Sequence, residues 1–203
     1  QTVVSVENEQ LCTHPIDLEQ SKKCSAVLSN FEVRDLTCDN NNIYLSGTNA
    51  DGDSVIRRAP VDKPEKLADF MGLGAGYPDA IALKDALLGY DLGKMAMDAF
   101  GRLYFWMRDT CTIWRLNDRE HIEADSQINR VLTDDCLCSR SGVFAVSPTS
   151  EVAFADGKTL YVHDGRTFEN VGMFRGEVIE LEALGTLYVA MTTEGIEVWQ
   201  DGQ

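Results

Sequence analysis

The sequence predicts an all-β chain made of repeated antiparallel sheets, and three observations carry that expectation. A phrase recurs four times, in Thr37–Leu45, Ala96–Phe105, Ala145–Phe154 and Glu180–Val189. Each copy has a small or apolar strand end, a polar or acidic residue, a turn and an aliphatic residue, which Tyr follows in three of the four copies. The aliphatic positions Ile43, Leu103, Val152 and Leu187 are spaced by 60, 49 and 35 residues, around the ~40–50-residue period of a four-stranded repeat. Connections such as Asp51-Gly52, Asp156-Gly157 and Asn40-Asn41-Asn42 supply residues that tolerate the positive φ of tight hairpins.

Taken in chain order, the first copy runs from Glu32–Cys38 through the Asn turn into Ile43–Gly47, then Ser54–Arg58 and Lys66–Phe70. The second reads Lys94–Asp98, an Ala99-Phe100-Gly101 turn, Arg102–Arg108, an Asp109-Thr110 turn and Thr112–Leu116, with His121–Ala124 as its closing strand. Gly142–Ser147, Glu151–Ala155, Thr159–His163 and Asn170–Phe174 form the third. The fourth has Glu177–Glu182, Thr186–Thr192 and Ile196–Trp199, and then reaches the end of the sequence one strand short. A spare strand, Thr2–Val6, precedes the first copy. If it lies beside Ile196–Trp199, the array closes into a ring and hides an open sheet edge. The expectation is therefore a small β-propeller over residues 1–203, with about four four-stranded blades, a degenerate fifth being open, closed by the N-terminal strand. Residues 8–30, with Cys12 and Cys24, and residues 71–92, Gly-rich and then compatible with a short helix, stand outside the repeat.

The run Ala96-Met97-Asp98-Ala99-Phe100-Gly101-Arg102-Leu103-Tyr104-Phe105-Trp106 resembles the strand–turn–strand of YWTD-type and NHL-type propeller blades, with Phe105-Trp106 near the aromatic pair of the motif. The full tetrad is absent from every copy. The resemblance implies the architecture and transfers no binding residue.

Composition narrows the function classes. Lys plus Arg number 18 against 33 Asp plus Glu, a formal charge of −15, which disfavours nucleic acid and anionic membranes and suits basic proteins or cationic ligands. No run reaches the ~18 apolar residues of a membrane span. Gln1-Thr2-Val3-Val4 reads as a mature secreted N-terminus. Cys12, Cys24, Cys38, Cys111, Cys136 and Cys138 read as a disulfide set of an oxidising compartment. Cys12 with Cys24, and Cys111 with one of the close pair, are the expected bridges.

No catalytic signature is present. His14, His121 and His163 lack metal spacing, no Gly-x-Ser-x-Gly elbow occurs, and Gly72-x-Gly74-x-Gly76 does not fit the dinucleotide fingerprint. Asn49-Ala50-Asp51-Gly52-Asp53 alternates oxygen donors as calcium loops do, but Pro60 stands where the bidentate Glu belongs; no cofactor or metal site is assigned, and calcium is the one ion these residues would suit. In a propeller, the turns between second and third strands share one end of the disc. Here they carry Asp51, Asp53, Arg108, Asp109, Asp156 and Glu194, an acidic rim expected to bind a basic protein partner. Two readings compete with this non-catalytic, secreted binding or assembly module. One is a calcium-dependent hydrolase or lactonase using Asp35, Asp98 or Glu182 on inner strands. The other is a structural, oligomerising subunit of an extracellular assembly.

Overall fold

Side chains along a strand point alternately to opposite faces, so a strand buried on both faces reads as a continuous apolar run. Leu103-Tyr104-Phe105-Trp106-Met107 is such a run, and all five residues are buried. The computed structural model describes residues 2–15, 21–72, 88, 92–116, 128–133, 142–163 and 166–200. Among them the regular structure is strand throughout, apart from one 3-10 turn at Pro64–Lys66.

The strands form five antiparallel sheets in chain order. The first holds β1 (Thr2–Glu7), β2 (Gln10–Pro15) and β3 (Lys23–Val27), and the second β4 (Glu32–Cys38), β5 (Asn42–Thr48), β6 (Ser54–Pro60) and β7 (Ala68–Met71). The third holds β8 (Leu92–Met97), β9 (Leu103–Met107), β10 (Thr112–Leu116) and β11 (Ile128–Thr133). The fourth holds β12 (Val143–Val146), β13 (Val152–Asp156), β14 (Thr159–His163) and β15 (Phe168–Met173). The fifth holds β16 (Val178–Leu184), β17 (Leu187–Thr192) and β18 (Gly195–Gln200).

Four apolar layers join successive sheets. Leu11, Leu28 and Phe31 meet Ile43, Leu45 and Val55 between the first and second. Tyr44, Ile56 and Met71 meet Leu103, Phe105 and Met107 between the second and third. Tyr104, Trp106 and Ile113 meet Phe144, Val152 and Phe154 between the third and fourth, with Trp106 edge-on to Phe154 at 5.3 Å between ring centroids. Ala153, Ala155 and Leu160 meet Leu181, Tyr188 and Ala190 between the fourth and fifth. Odd and even residues of β9 thus serve different neighbours, which is what a stack of blades requires.

Three expectations change. Residues 8–30 contain β2 and β3 and so contribute a fifth sheet. The strand β1 pairs with β2, in the register Val3↔His14 to Glu7↔Gln10, while β18 pairs with β17. The pairing of Val3–Val6 with Ile196–Trp199 is therefore not formed among the described residues. Its physical reason is local: Asn8 and Glu9 both take positive φ, 48° and 58°, the two-residue hairpin turn whose twist matches the flanking strands. Closing a two-residue loop costs far less entropy than recruiting a strand from the other end of the chain. The last strand of the third sheet is Ile128–Thr133; His121–Ala124 lies outside the described residues, as do most of residues 71–92.

Cysteine chemistry is also resolved in part. Cys12 and Cys24 face each other across β2 and β3 and form a disulfide. Cys111 is disulfide-bonded as well, to a residue outside those described. Cys38 departs from the expected set: it is a free cysteine at the end of β4, exposed as a residue but with its thiol half-buried, and that desolvation and then Asp39 hold its pKa above the usual thiol value.

Candidate functional site

The first strand of each of the last four sheets lines a common space. β4, β8, β12 and β16 run side by side and line an open cavity of about 430 Å³. Asp35 to Cys38, Met95 to Met97, Phe144 to Val146 and Glu180 to Glu182 form its walls. The charge around it is carried by three strands. β4 contributes Asp35 with the Cys38 thiol, β8 contributes Lys94 beside the lining, and β16 contributes Glu180 and Glu182; the β12 wall, Phe144-Ala145-Val146, has no charged group.

Lys94 holds these carboxylates together. Its Nζ donates to Glu180 Oε2 at 2.7 Å and lies 3.7 Å from Asp35 Oδ1. Asp35 Oδ2 also accepts the backbone N–H of Met95 at 2.6 Å, tying β4 to β8. Burial raises the Asp35 pKa above the usual carboxylate value, against the Met95 hydrogen bond and Lys94, which lower it. Burial likewise raises that of Glu182, and repulsion from Glu180 and Asp35 adds to it. Lys94 is shifted upward: burial alone would lower its pKa, but the Glu180 and Asp35 interactions outweigh that. Glu182 makes no hydrogen bond or ion pair with a described residue and is exposed. Three carboxylates against one ammonium leave the lining net negative.

Of the inner-strand acids named from sequence, the structure brings Asp35 and Glu182 together here. Asp98 belongs elsewhere. It follows β8 at the turn into β9, with its side chain fully buried, and accepts from the backbone N–H groups of Phe100 and Arg102, each at 2.9 Å. Arg102 Nε at 2.6 Å, Ser150 Oγ at 3.1 Å and the Tyr104 hydroxyl at 3.3 Å complete its shell. These contacts lock the third sheet to the fourth. Lys94 and Glu180 were not singled out from sequence. The Glu180-x-Glu182 spacing, which puts two acids on one side of a strand, was the available signal.

The residues expected to form an acidic rim occupy equivalent turns. Asp51 and Asp53 lie between β5 and β6, Arg108 and Asp109 between β9 and β10, Asp156 at the β13–β14 turn and Glu194 at the β17–β18 turn. Asp51, Asp109 and Glu194 are exposed; Asp53, Arg108 and Asp156 are half-buried. In the Asn49–Asp53 segment, Asn49 Oδ1 serves the turn itself, accepting the N–H groups of Asp51 at 3.0 Å and Asp53 at 2.9 Å. Among the described residues no three His, Cys, Asp or Glu side chains converge as a metal site.

One cluster imitates a catalytic relay. Ser5 Oγ lies 3.1 Å from His14 Nε2, and Glu7 Oε1 lies 2.6 Å from the same nitrogen. A relay needs the carboxylate on the other ring nitrogen, so that the one facing the serine is free to accept its proton. Here the carboxylate and the hydroxyl share one atom, and Lys22 draws the second Glu7 oxygen at 2.5 Å. The arrangement ties a hairpin together.

No protein-family model and no curated protein sequence matches the chain. Solved structures do. A streptogramin B lyase superposes with a TM-score of 0.56 at 9% identity, over 98% of this chain and 68% of that one. A virginiamycin B lyase from Staphylococcus aureus gives 0.54 at 11% identity, over 98% and 69%, and BamB from Moraxella catarrhalis gives 0.53 at 15%, over 98% and 69%. At such identities the likeness concerns architecture: the chain has the β-propeller fold, here as five successive antiparallel sheets, the last four of which line a shared cavity.

Proposed function

We propose that this protein is a secreted, non-catalytic binding or assembly module whose acidic face meets a basic protein partner. The observation that supports the reading is the placing of Asp51, Asp109 and Glu194, all exposed, on equivalent turns of sheets packed into one stack. Turns held by rigid sheets present charge without paying to order it, the common use of such loops in binding. The Cys12–Cys24 bridge suits an oxidising compartment, and no helix of the described residues is long and apolar enough to cross a membrane.

The test is fluorescence anisotropy with a labelled decalysine peptide as the basic probe. Rim charges are screened over ~8 Å at physiological ionic strength. Affinity should fall steeply between low and physiological salt, and further in the triple variant Asp51→Asn, Asp109→Asn, Glu194→Gln. Binding indifferent to both changes would rule the rim out as the contact surface.

A further inference from the structure

We propose that two copies of this chain pair through the outer face of the fifth sheet, apolar face against apolar face, about a two-fold axis. This surface is the side of a sheet, distinct from the turns that carry the acidic residues.

Each sheet of the stack has two faces, and alternation along its strands decides what each face meets. On the middle strand β17, Tyr188 and Ala190 pack against the fourth sheet, so Leu187, Val189 and Met191 point away from it. The register carries that face across the sheet: Leu184 stands opposite Leu187, Val198 opposite Val189 and Ile196 opposite Met191. Ile196 is 79% exposed, Val198 60%, Leu184 59% and Met191 49%. In the earlier sheets the residues that face the next sheet from the middle strand are covered by it. Tyr44 in β5, Tyr104 and Trp106 in β9, and Ala153 and Ala155 in β13 are all fully buried. The fifth sheet carries the same kind of packing face, and no described residue covers it.

Area and chemistry point to a second copy as the occupant. Three strands of six or seven residues make a face of about 15 by 20 Å. Two such faces pressed together, with their side chains, remove about 1,200 Å² from water, the lower bound for specific interfaces. The other end of the stack offers no apolar match. Val4 and Leu11 of the first sheet pack toward the second, which leaves Ser5, Glu7 and His14 on the far side, hydrogen-bonded to one another. Head-to-tail stacking would bury that charged cluster against Ile196 and Val198. Pairing the fifth sheet with itself sets apolar against apolar and closes after two copies, the commonest symmetry of homo-oligomers. The acids of this sheet face, Glu180 and Glu182, lie on its border strand β16. A two-fold axis running along the strands sets each β16 over the β18 of the other copy, so the two acidic borders fall on opposite sides of the interface.

Sedimentation velocity of the full chain between about 1 and about 100 μM brackets the weak end of affinities for interfaces of this kind. The mass is expected to rise from 22.5 kDa toward twice that value. Added salt should strengthen the dimer, because it screens repulsion between chains of formal charge −15; decalysine binding at the rim weakens with salt, so the two readings respond in opposite directions. Ile196→Lys and Met191→Lys should each weaken dimerisation by about ten-fold or more, as for residues central to an interface, with unchanged circular dichroism. Both substitutions reduce the net negative charge, so repulsion between whole chains cannot account for the loss. Met173→Lys, at an exposed apolar residue of the fourth sheet, should leave the dimer intact. Met191 belongs to the middle strand, so a dimer that survives Met191→Lys is held by the β18 edge or by another surface and overturns the proposal. A monomer throughout the concentration range overturns it as well, and so does a series growing beyond two copies, the mark of head-to-tail packing.

Discussion

Replacing Asp98 tests whether neighbouring blades are joined by one buried carboxylate. Asp98→Ala removes the acceptor for two backbone N–H groups, the Arg102 guanidinium, the Tyr104 hydroxyl and the Ser150 hydroxyl. Tyr104 is 1% exposed, so its hydroxyl cannot turn to water. Breaking a buried charged pair costs about 3–5 kcal/mol. Arg102 keeps 26% of its side chain in solvent and can rehydrate, which places the loss at the lower end, about 3 kcal/mol. For a chain of this size each kcal/mol moves Tm by about 2–4 °C, giving a fall of about 6–12 °C. Asp98→Asn keeps one oxygen for the two backbone donors but turns an amide N–H toward Arg102, so it should lose about half as much. Thermal melts followed by circular dichroism, with urea titrations at fixed pH, measure both. A drop below about 3 °C for Asp98→Ala, or equal losses for the two variants, would refute the assignment of inter-blade stability to this carboxylate.

Three other substitutions have outcomes set by local packing, a crosslink and a buried charge. Gly47→Ala places a Cβ 2.3 Å from the Glu32 carbonyl oxygen and 2.6 Å from the Phe31 ring; the backbone of β4 must yield, so urea titration should show a loss of about 1–3 kcal/mol. The double variant Cys12→Ala, Cys24→Ala opens a loop with a sequence separation of 12 and should lower stability by about 3 kcal/mol by the chain-entropy argument, read as a fall in urea midpoint. Burial holds the Asp35 carboxyl above its usual range, so the folded chain binds that proton more tightly than the unfolded one. The contribution to stability is complete below the unfolded carboxylate value of ~3.9 and is lost as pH rises through the folded value. Asp35→Asn should therefore improve relative to the parent between pH 4 and pH 7, and a difference independent of pH would contradict the sign.

How far the sequence could be read depended on the range of the interaction involved. The hairpins were legible because their determinants are local: β4 has the expected limits, Glu32–Cys38, and turns at Gly52, Gly101, Gly157 and Gly185 take positive φ at 89°, 70°, 57° and 70°. The third copy shows the same device without glycine. Ser150 adopts φ 72° and hydrogen-bonds Asp98 across the sheet boundary, an arrangement visible only once the third and fourth sheets are adjacent. The turn at Asn8-Glu9 is hidden for the opposite reason: it lacks the Asn-Gly signature, so from sequence β1 reads as a spare strand suited to a distant edge. The cavity depends on the longest-range facts. Lys94 meets Glu180 across 86 residues of sequence, and neither residue is unusual in its own strand. Alternation can place Glu180 and Glu182 on one side of β16, but which strand faces that side follows from the stacking of blades. The repeat therefore predicts the sheets one at a time, while the site arises from how β4, β8 and β16 face one another. Its chemistry belongs to the assembled stack, so substitutions that loosen the blades should part Lys94 from Glu180 before they unfold any single sheet.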